Sequence, residues 1–523
     1  MSSVLNRFLA TIIICFFCVA TGLAQKKQVA KPNVIFILAD DMGRGMLSYY
    51  GQKIVKTPNI DRIAQEGVSF DRSYAGVYCA PSRASLLTGY SNFNSDQYTL
   101  TSAGLYIKEG KGVLTDAQVQ AKVDSVIGRE PDITYLPQVF KQAGYTTAEV
   151  GKLDWGFATS TKQMNNHGWD YYYGYYDHQM CHGFYPPFLH ETGKLVQIPG
   201  NTRADAGKTS EWGDEKGEKD RWDMTGKAVY SQDLFLEKML AFIRGHKNKP
   251  FFLYHPTQLP HGPAAIPHIN PEFADNKNLT EIEQVYASMV KKLDDNVGVI
   301  LAELKKQGMD KNTIVIFSSD NGHEIYYSYK GRIEKPLKNM QTGKLFNDVT
   351  DRYYSDLGGD VFDGNNGMAG LKRSNWEGGA RVPLFIRWPE KFKKGYKAPQ
   401  MVANYDLLAT MADLLQVKTK DKKDGLSFLP ALQGAARFDG HEAVAYVSFI
   451  GPALITRDGW KIRYQVSAKK YELYYLPDDY KEANNLATKQ PNRLARLKQM
   501  LLKQCKGDIN NGWFRESVKI KSL

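Results

Sequence analysis

The chain has 523 residues, enough for one large domain and a smaller one around a sizeable core. Apolar residues make up 42% and charged residues 24%, proportions of a soluble globular protein that exclude a disordered chain or one built of membrane spans. The net charge of +12 suits a polyanionic partner such as a sulfated glycan. Scattered lysine pairs on a solvated surface account for it more simply, and nothing resembles a nucleic-acid-binding motif.

Residues 1–24 read as an export signal: Arg7, an apolar run over 8–20, then Gly22-Leu23-Ala24 as a small-residue cleavage site. The run is short for a membrane span. Bulky Ile14 and Phe17 precede Cys15 and Cys18, where lipid-anchor signals take small residues. The mature protein is expected to begin near Gln25, exported to the periplasm and not membrane-embedded. It keeps Cys79, Cys181 and Cys505, an odd number for an oxidising compartment.

Residues 33–39 form a continuous apolar run, the pattern of a strand buried on both faces of a parallel sheet, and stop at Asp40-Asp41-Met42-Gly43. Thr57-Pro58-Asn59 supplies capping chemistry for a helix ending near Gly67. Cys79 stands at the start of a short helix, with Pro81 suited to its first turn and Gly89 to its stop. A strand over 146–150 leads to Gly151-Lys152-Leu153-Asp154, and residues 155–220 read as a long insertion rich in Gly and Tyr. Helical periodicity over 227–244 precedes a strand at 250–254, which runs into Leu259-Pro260-His261-Gly262-Pro263. An amphipathic helix over 281–306 leads to a strand at 313–317 that ends at Ser318-Ser319-Asp320-Asn321-Gly322. Lys372 precedes Glu377-Gly378-Gly379, and 404–415 is the last helix of the large domain.

The expected fold is therefore α/β, a large mainly parallel sheet sandwiched by helices over 25–434. A small α+β domain with an antiparallel sheet follows over 435–523, with strands at 443–449, 454–456, 460–466 and 471–476 and a helix over 492–504.

Adjacent carboxylates after a central strand lie where open α/β sheets hold ligands, and they repel each other unless a hard cation sits between them. A thiol at a helix N-terminus meets free N–H groups that favour an anion. The run Cys79-Ala80-Pro81-Ser82-Arg83, continued by Ala84-Ser85-Leu86-Leu87-Thr88-Gly89, resembles the maturation signal of the formylglycine-dependent type I sulfatases of the alkaline phosphatase superfamily, exported bacterial carbohydrate sulfatases among them. The other blocks occur in that family's order across nearly the whole mature chain.

The resemblance implies that a formylglycine-generating maturation enzyme oxidises Cys79 to 3-oxoalanine, whose hydrate attacks sulfate esters. It implies a Ca²⁺ ion held by Asp40, Asp41, Asp320 and Asn321, with residue 79 and the substrate completing the shell. Lys152 and Lys372 would face the sulfate charge, Arg83 would hold the hydrate, and His261 would protonate the leaving oxygen. Asp154 departs from the pattern, because most relatives have a histidine there to help discharge sulfate. It either takes that proton or has turned away. Substrate contacts are assigned to Asp154, Asp177, His178, His182, His323 and Arg373. His178, Cys181 and His182 have spacing that would suit zinc on a helix, but Gly174 and Gly183 argue against a regular helix there. Conversion of Cys79 leaves one cysteine pair, Cys181 with Cys505, whose bridging stays open.

The expected substrate is a sulfated carbohydrate, with galactose or N-acetylgalactosamine sulfates suggested by the insertion. The alternatives are a phosphoester or phosphonate hydrolase of the same superfamily, or a non-catalytic protein that binds sulfated glycans.

Overall fold

The computed structural model describes residues 31–93, 103–108, 112–126, 132–155, 158–347, 350–435 and 439–513. The export signal at 1–24 lies outside the described residues. Among the described residues no helix is long and apolar enough to cross a membrane.

The strands in chain order are β1 (Asn33–Ala39), β2 (Val68–Tyr74), β3 (Thr146–Lys152), β4 (Tyr171–Tyr175), β5 (Phe188–Glu191), β6 (Lys194–Gln197), β7 (Phe251–Pro256), β8 (Thr313–Ser319), β9 (Leu384–Arg387) and β10 (Tyr396–Ala403). They form one sheet in the order β10-β2-β9-β8-β1-β7-β3-β4-β5-β6. Its centre, β8-β1-β7-β3-β4, is parallel throughout. Every residue of β1, β7 and β8 is buried, as continuous apolar runs demand when helices cover both faces.

Helices of seven or more residues are α1 (Pro58–Gln65), α2 (Cys79–Thr88), α3 (Asp116–Asp124), α4 (Leu136–Gln142), α5 (Thr161–His167), α6 (Glu215–Trp222), α7 (Ser231–Gly245), α8 (Glu281–Lys306), α9 (Asp406–Leu415) and α10 (Pro491–Gln504). The long helix α8 opens with a capping box between Thr280 and Glu283. Its buried stripe, Ile282, Tyr286, Met289, Leu293, Val297, Ile300 and Leu304, keeps helical spacing against the core.

Helix α1 starts where expected, but Thr57 does not cap it. The Asp294 carboxylate of α8 accepts from the free Asn59 and Ile60 amides at 2.9 and 2.8 Å. A second correction concerns 155–220. This segment is only partly an insertion, because β4 pairs in parallel with β3 and β5 and β6 extend the same sheet. Tyr172, Tyr173 and Tyr175 are core residues. Gly174 lies where the two strands meet, and a Cβ there would come within 1.9 Å of the Gly151 carbonyl oxygen.

The C-terminal strands β11 (Ala443–Tyr446), β12 (Ala453–Thr456), β13 (Trp460–Gln465) and β14 (Lys470–Tyr475) form a separate antiparallel sheet in sequence order. One face packs on α10 through Leu497 and Leu501. The other meets Tyr74, Val77 and Trp376. Across that seam Lys461 is fully buried between Glu377 at 3.1 Å and Glu482 at 2.8 Å. Both sheets belong to one compact unit, Asn33–Leu523.

Cys181 and Cys505 are not bridged. Cys181 donates its thiol hydrogen to the His178 carbonyl at 2.9 Å, whereas Cys505 packs beneath the C-terminal sheet.

Candidate active site

The register of β1 against β8 pairs Ala39 with Ser319, so the residues that follow both strands meet. The Asp320 amide donates to the Ala39 carbonyl at 3.1 Å, and the Asp41 amide donates to Asp320 Oδ1 at 3.0 Å. Asp41 adopts φ 60°, a left-handed conformation that aspartate tolerates better than most residues. The chain leaving β7 is tied to β1 through Thr257 N to Leu38 O (3.1 Å) and Asp40 N to Leu259 O (3.0 Å), which delivers His261. Lys152 is the last residue of β3.

Helix α2 begins at Cys79, which is buried, and stops at Gly89 with φ +73°. Ser82 pins that helix to the end of β8: its hydroxyl accepts from the Gly76 amide at 3.1 Å and donates to the Asp320 carbonyl.

Three carboxylates and three permanent cations converge here, all 7% exposed or less. Lys152 Nζ donates to Asp40 Oδ2 at 2.8 Å. Arg83 donates through Nε and Nη2 to Asp320 Oδ2 at 3.1 and 2.9 Å, and its Nη2 lies 3.4 Å from Asp40 Oδ1. Lys372 Nζ donates to Asp41 Oδ2 at 2.6 Å, and Asn321 Nδ2 to Asp41 Oδ1 at 2.7 Å. His261 Nε2 is 3.3 Å from Asp41 Oδ2 and 2.9 Å from the Tyr326 hydroxyl, which also donates to Asp41.

Burial works to raise the carboxyl pKa values, but Lys152 holds Asp40 well below the usual range and Lys372 holds Asp41 down. Asp320 goes the other way: burial and the neighbouring Asp40 charge push it up to about 7. Burial also raises the Cys79 thiol, against the pull of Lys372 and Lys152, and lowers His261 despite the two aspartates beside it.

Oxygens from Asp40 and Asp41 and a ring nitrogen of His261 lie within 4.8 Å of one another, close enough to share an ion. Asp40 Oδ1 and Asn321 Oδ1 are buried and accept no hydrogen bond. Buried oxygens in that condition are costly; a hard oxygen-seeking cation would satisfy them, and the donor set fits calcium.

The remaining predicted residues separate. Asp154, at φ 64°, accepts from Thr159 Oγ1 (2.9 Å) and Gln163 Nε2 (2.8 Å) on Oδ2 and contacts His167 Nδ1 (2.9 Å) through Oδ1. Its carboxylate is therefore turned into the protein. Asp177 accepts from the amides of Leu105, Gln179 and Met180, securing a turn. His178 holds the Leu153 carbonyl through Nε2 at 3.0 Å, directly behind Lys152, and its Nδ1 is buried without a hydrogen bond.

His182 stacks on His261, ring centroids 4.3 Å apart. His323 bonds the Tyr327 hydroxyl at 2.8 Å and sits beneath Gly43 and Gly364. Arg373 pairs with Glu324 at 2.9 Å. Sequence reading missed Tyr326, which links Asp41 to His261, and Tyr78, whose ring lies 5.2 Å from Lys372 Nζ. Neither sits at a telling spacing, since both lie in irregular segments.

The model of the family described as Sulfatase matches residues 32–417, and that of the N-sulphoglucosamine sulphohydrolase C-terminal region matches 367–508. The chain is 30% identical to a rat N-acetylgalactosamine-6-sulfatase over 79% of its own length and 68% of the relative's. It is 27% identical to an N-acetylgalactosamine-6-O-sulfatase of Bacteroides thetaiotaomicron, over 92% and 96%. A solved sulfatase from glycosaminoglycan metabolism in Bacteroides thetaiotaomicron superposes with a TM-score of 0.65 at 24% identity, covering 91% of this chain and 99% of that one. With strand ends, helix α2 and these likenesses in agreement, the chain belongs to the sulfatase family and is a sulfuric ester hydrolase.

Proposed function

We propose that this sulfatase is exported and removes sulfate from a carbohydrate, with N-acetylgalactosamine or galactose sulfates as the leading class. In this reading Cys79 is converted to formylglycine, and calcium is held by Asp40, Asp41, Asp320 and Asn321. The names of the relatives support the sugar. The observation that carries the metal is the pair of buried, unsatisfied oxygens, Asp40 Oδ1 and Asn321 Oδ1. When bound, the aldehyde hydrate and the ion supply a nucleophile and a Lewis acid.

The chain's own residues do the rest. Lys152 and Lys372, both held firmly protonated by the neighbouring aspartates, stabilise the charge of the transferring group. Arg83 keeps Nη1 buried and free of hydrogen bonds, a donor available to an oxygen on residue 79. His261 Nδ1 faces the Gly262 carbonyl at 2.6 Å. A carbonyl only accepts, so Nδ1 carries the hydrogen and Nε2 is the atom that moves a proton to the leaving oxygen. Asp154, its carboxylate held by Thr159, Gln163 and His167, is engaged in packing.

Mass spectrometry of the peptide carrying residue 79, from the native host, is expected to show the aldehyde. Turnover of N-acetylgalactosamine 6-sulfate is expected to exceed that of the matching phosphate ester, and chelation is expected to abolish it until calcium is restored. An intact thiol, or faster turnover of the phosphate, overturns the reading.

A further inference from the structure

A cavity of about 450 Å³ lies between the large sheet and the C-terminal sheet, and no residue of the site above lines it. That volume is in the range of ligand pockets. Arg44, Arg72, Arg381 and Arg457 line it, against only Asp71 and Asp458.

The two aspartates are already committed. Asp71 is clamped between Arg44 and Arg381, the latter donating to Oδ2 at 2.7 Å. Asp458 lies 3.4 Å from Arg493, which is outside the cavity lining. Arg72 donates to two main-chain carbonyls, Arg457 O at 2.7 Å and Thr456 O at 2.9 Å, and among the described residues it forms no ion pair. Arg457 donates to the His441 and Gly440 carbonyls at 3.2 and 3.1 Å, and its one ion pair among the described residues is with the exposed Asp439, at 3.5 Å. Arg381 is also 3.5 Å from Glu377, so the lining keeps an excess of positive charge, four arginines against two aspartates, centred on Arg72. Pro477 and Tyr480 also line it, and Tyr480 is 47% exposed.

Guanidinium groups and an exposed tyrosine ring in one lining match an acidic sugar, which offers an oxyanion and an apolar ring face. We propose that this cavity is a second glycan site, taking an acidic saccharide whose carboxylate or uncleaved sulfate sits on Arg72 and Arg457 and whose ring lies on Tyr480. The ligand class rests on the carbohydrate reading above; the charge imbalance does not.

The test is calorimetric titration of the full chain in a Cys79→Ala background, which removes turnover. The probes are a tetrasaccharide alternating hexuronate with sulfated N-acetylgalactosamine, a neutral oligosaccharide of equal length, an unsulfated hexuronate oligosaccharide and a sulfated galacto-oligosaccharide. The acidic tetrasaccharide is expected to bind, and Arg72→Met or Tyr480→Ala to weaken it about tenfold. The last two probes tell carboxylate from sulfate. The exposed Tyr480 keeps the test decisive if Arg72→Met fails to fold. Equal binding of the neutral chain, no binding of any acidic chain, or unchanged affinity in Tyr480→Ala overturns the proposal. Failure of the functional reading is separate: it appears as absent turnover in the wild type while the cavity still binds the acidic chain.

Discussion

At the scale of single residues, His261 and Asp154 make opposite cases. His261 Nε2 is aimed at Asp41 and Tyr326 with its other nitrogen fixed by Gly262, an orientation that the proposed acid role requires. Replacing it, His261→Gln, should slow poor leaving groups by about 10²–10⁴ and activated aryl sulfates far less. Equal losses across a series of leaving groups would remove it from the acid role.

Asp154 is expected to behave as packing. With Thr159, Gln163 and His167 all on its carboxylate, Asp154→Asn should lower unfolding stability by about 1–3 kcal/mol while turnover stays within about tenfold. The reverse pattern, a large loss of turnover with unchanged melting, would place Asp154 in the chemistry.

At the scale of elements, strands supply the ends on which the site is built and helices lock those ends together. Helix α1 depends on a neighbour for its cap: Asp294 of α8 receives its first free amides, and burial pushes that carboxyl up to about 6. Asp294→Ala is expected to cost about 1–2 kcal/mol in chemical denaturation. Asp294→Asn, which keeps an acceptor oxygen, should recover most of it. If both variants cost the same, the charge rather than the hydrogen bonds holds α1.

At the scale of the whole molecule, the two sheets are joined by a buried charge cluster that responds to pH. Burial, with the charge of Glu377 and against the pull of Lys461, pushes Glu482 up to about 7. The folded protein therefore takes up a proton there that the unfolded chain, with an ordinary carboxyl, does not. The stability from this site is full below the unfolded value and is lost as pH rises to about 7. Relative to wild type, Glu482→Gln should gain stability between pH 5 and pH 8, by a few kcal/mol at most, read as the difference in melting temperature at the two pH values. A difference that does not change with pH would mean Glu482 stays ionised throughout.

What the amino-acid order determined by itself was local: buried runs such as 33–39 and 313–317, the 281–306 helix, the C-terminal strands, and the short motifs that end them. Hydrophobic period, capping and strand-end chemistry act between near neighbours and are written into consecutive residues. Tertiary structure alone decided what depends on residues far apart in the chain. It turned Asp154 inward, set Tyr326 between Asp41 and His261, gave α1 its cap from Asp294, and drew β4 to β6 out of an apparent insertion into the main sheet. It also left Cys181 and Cys505 unbridged and closed the arginine cavity between two sheets. Those outcomes depend on which buried partner lies within hydrogen-bond reach after folding, a distance no local pattern encodes.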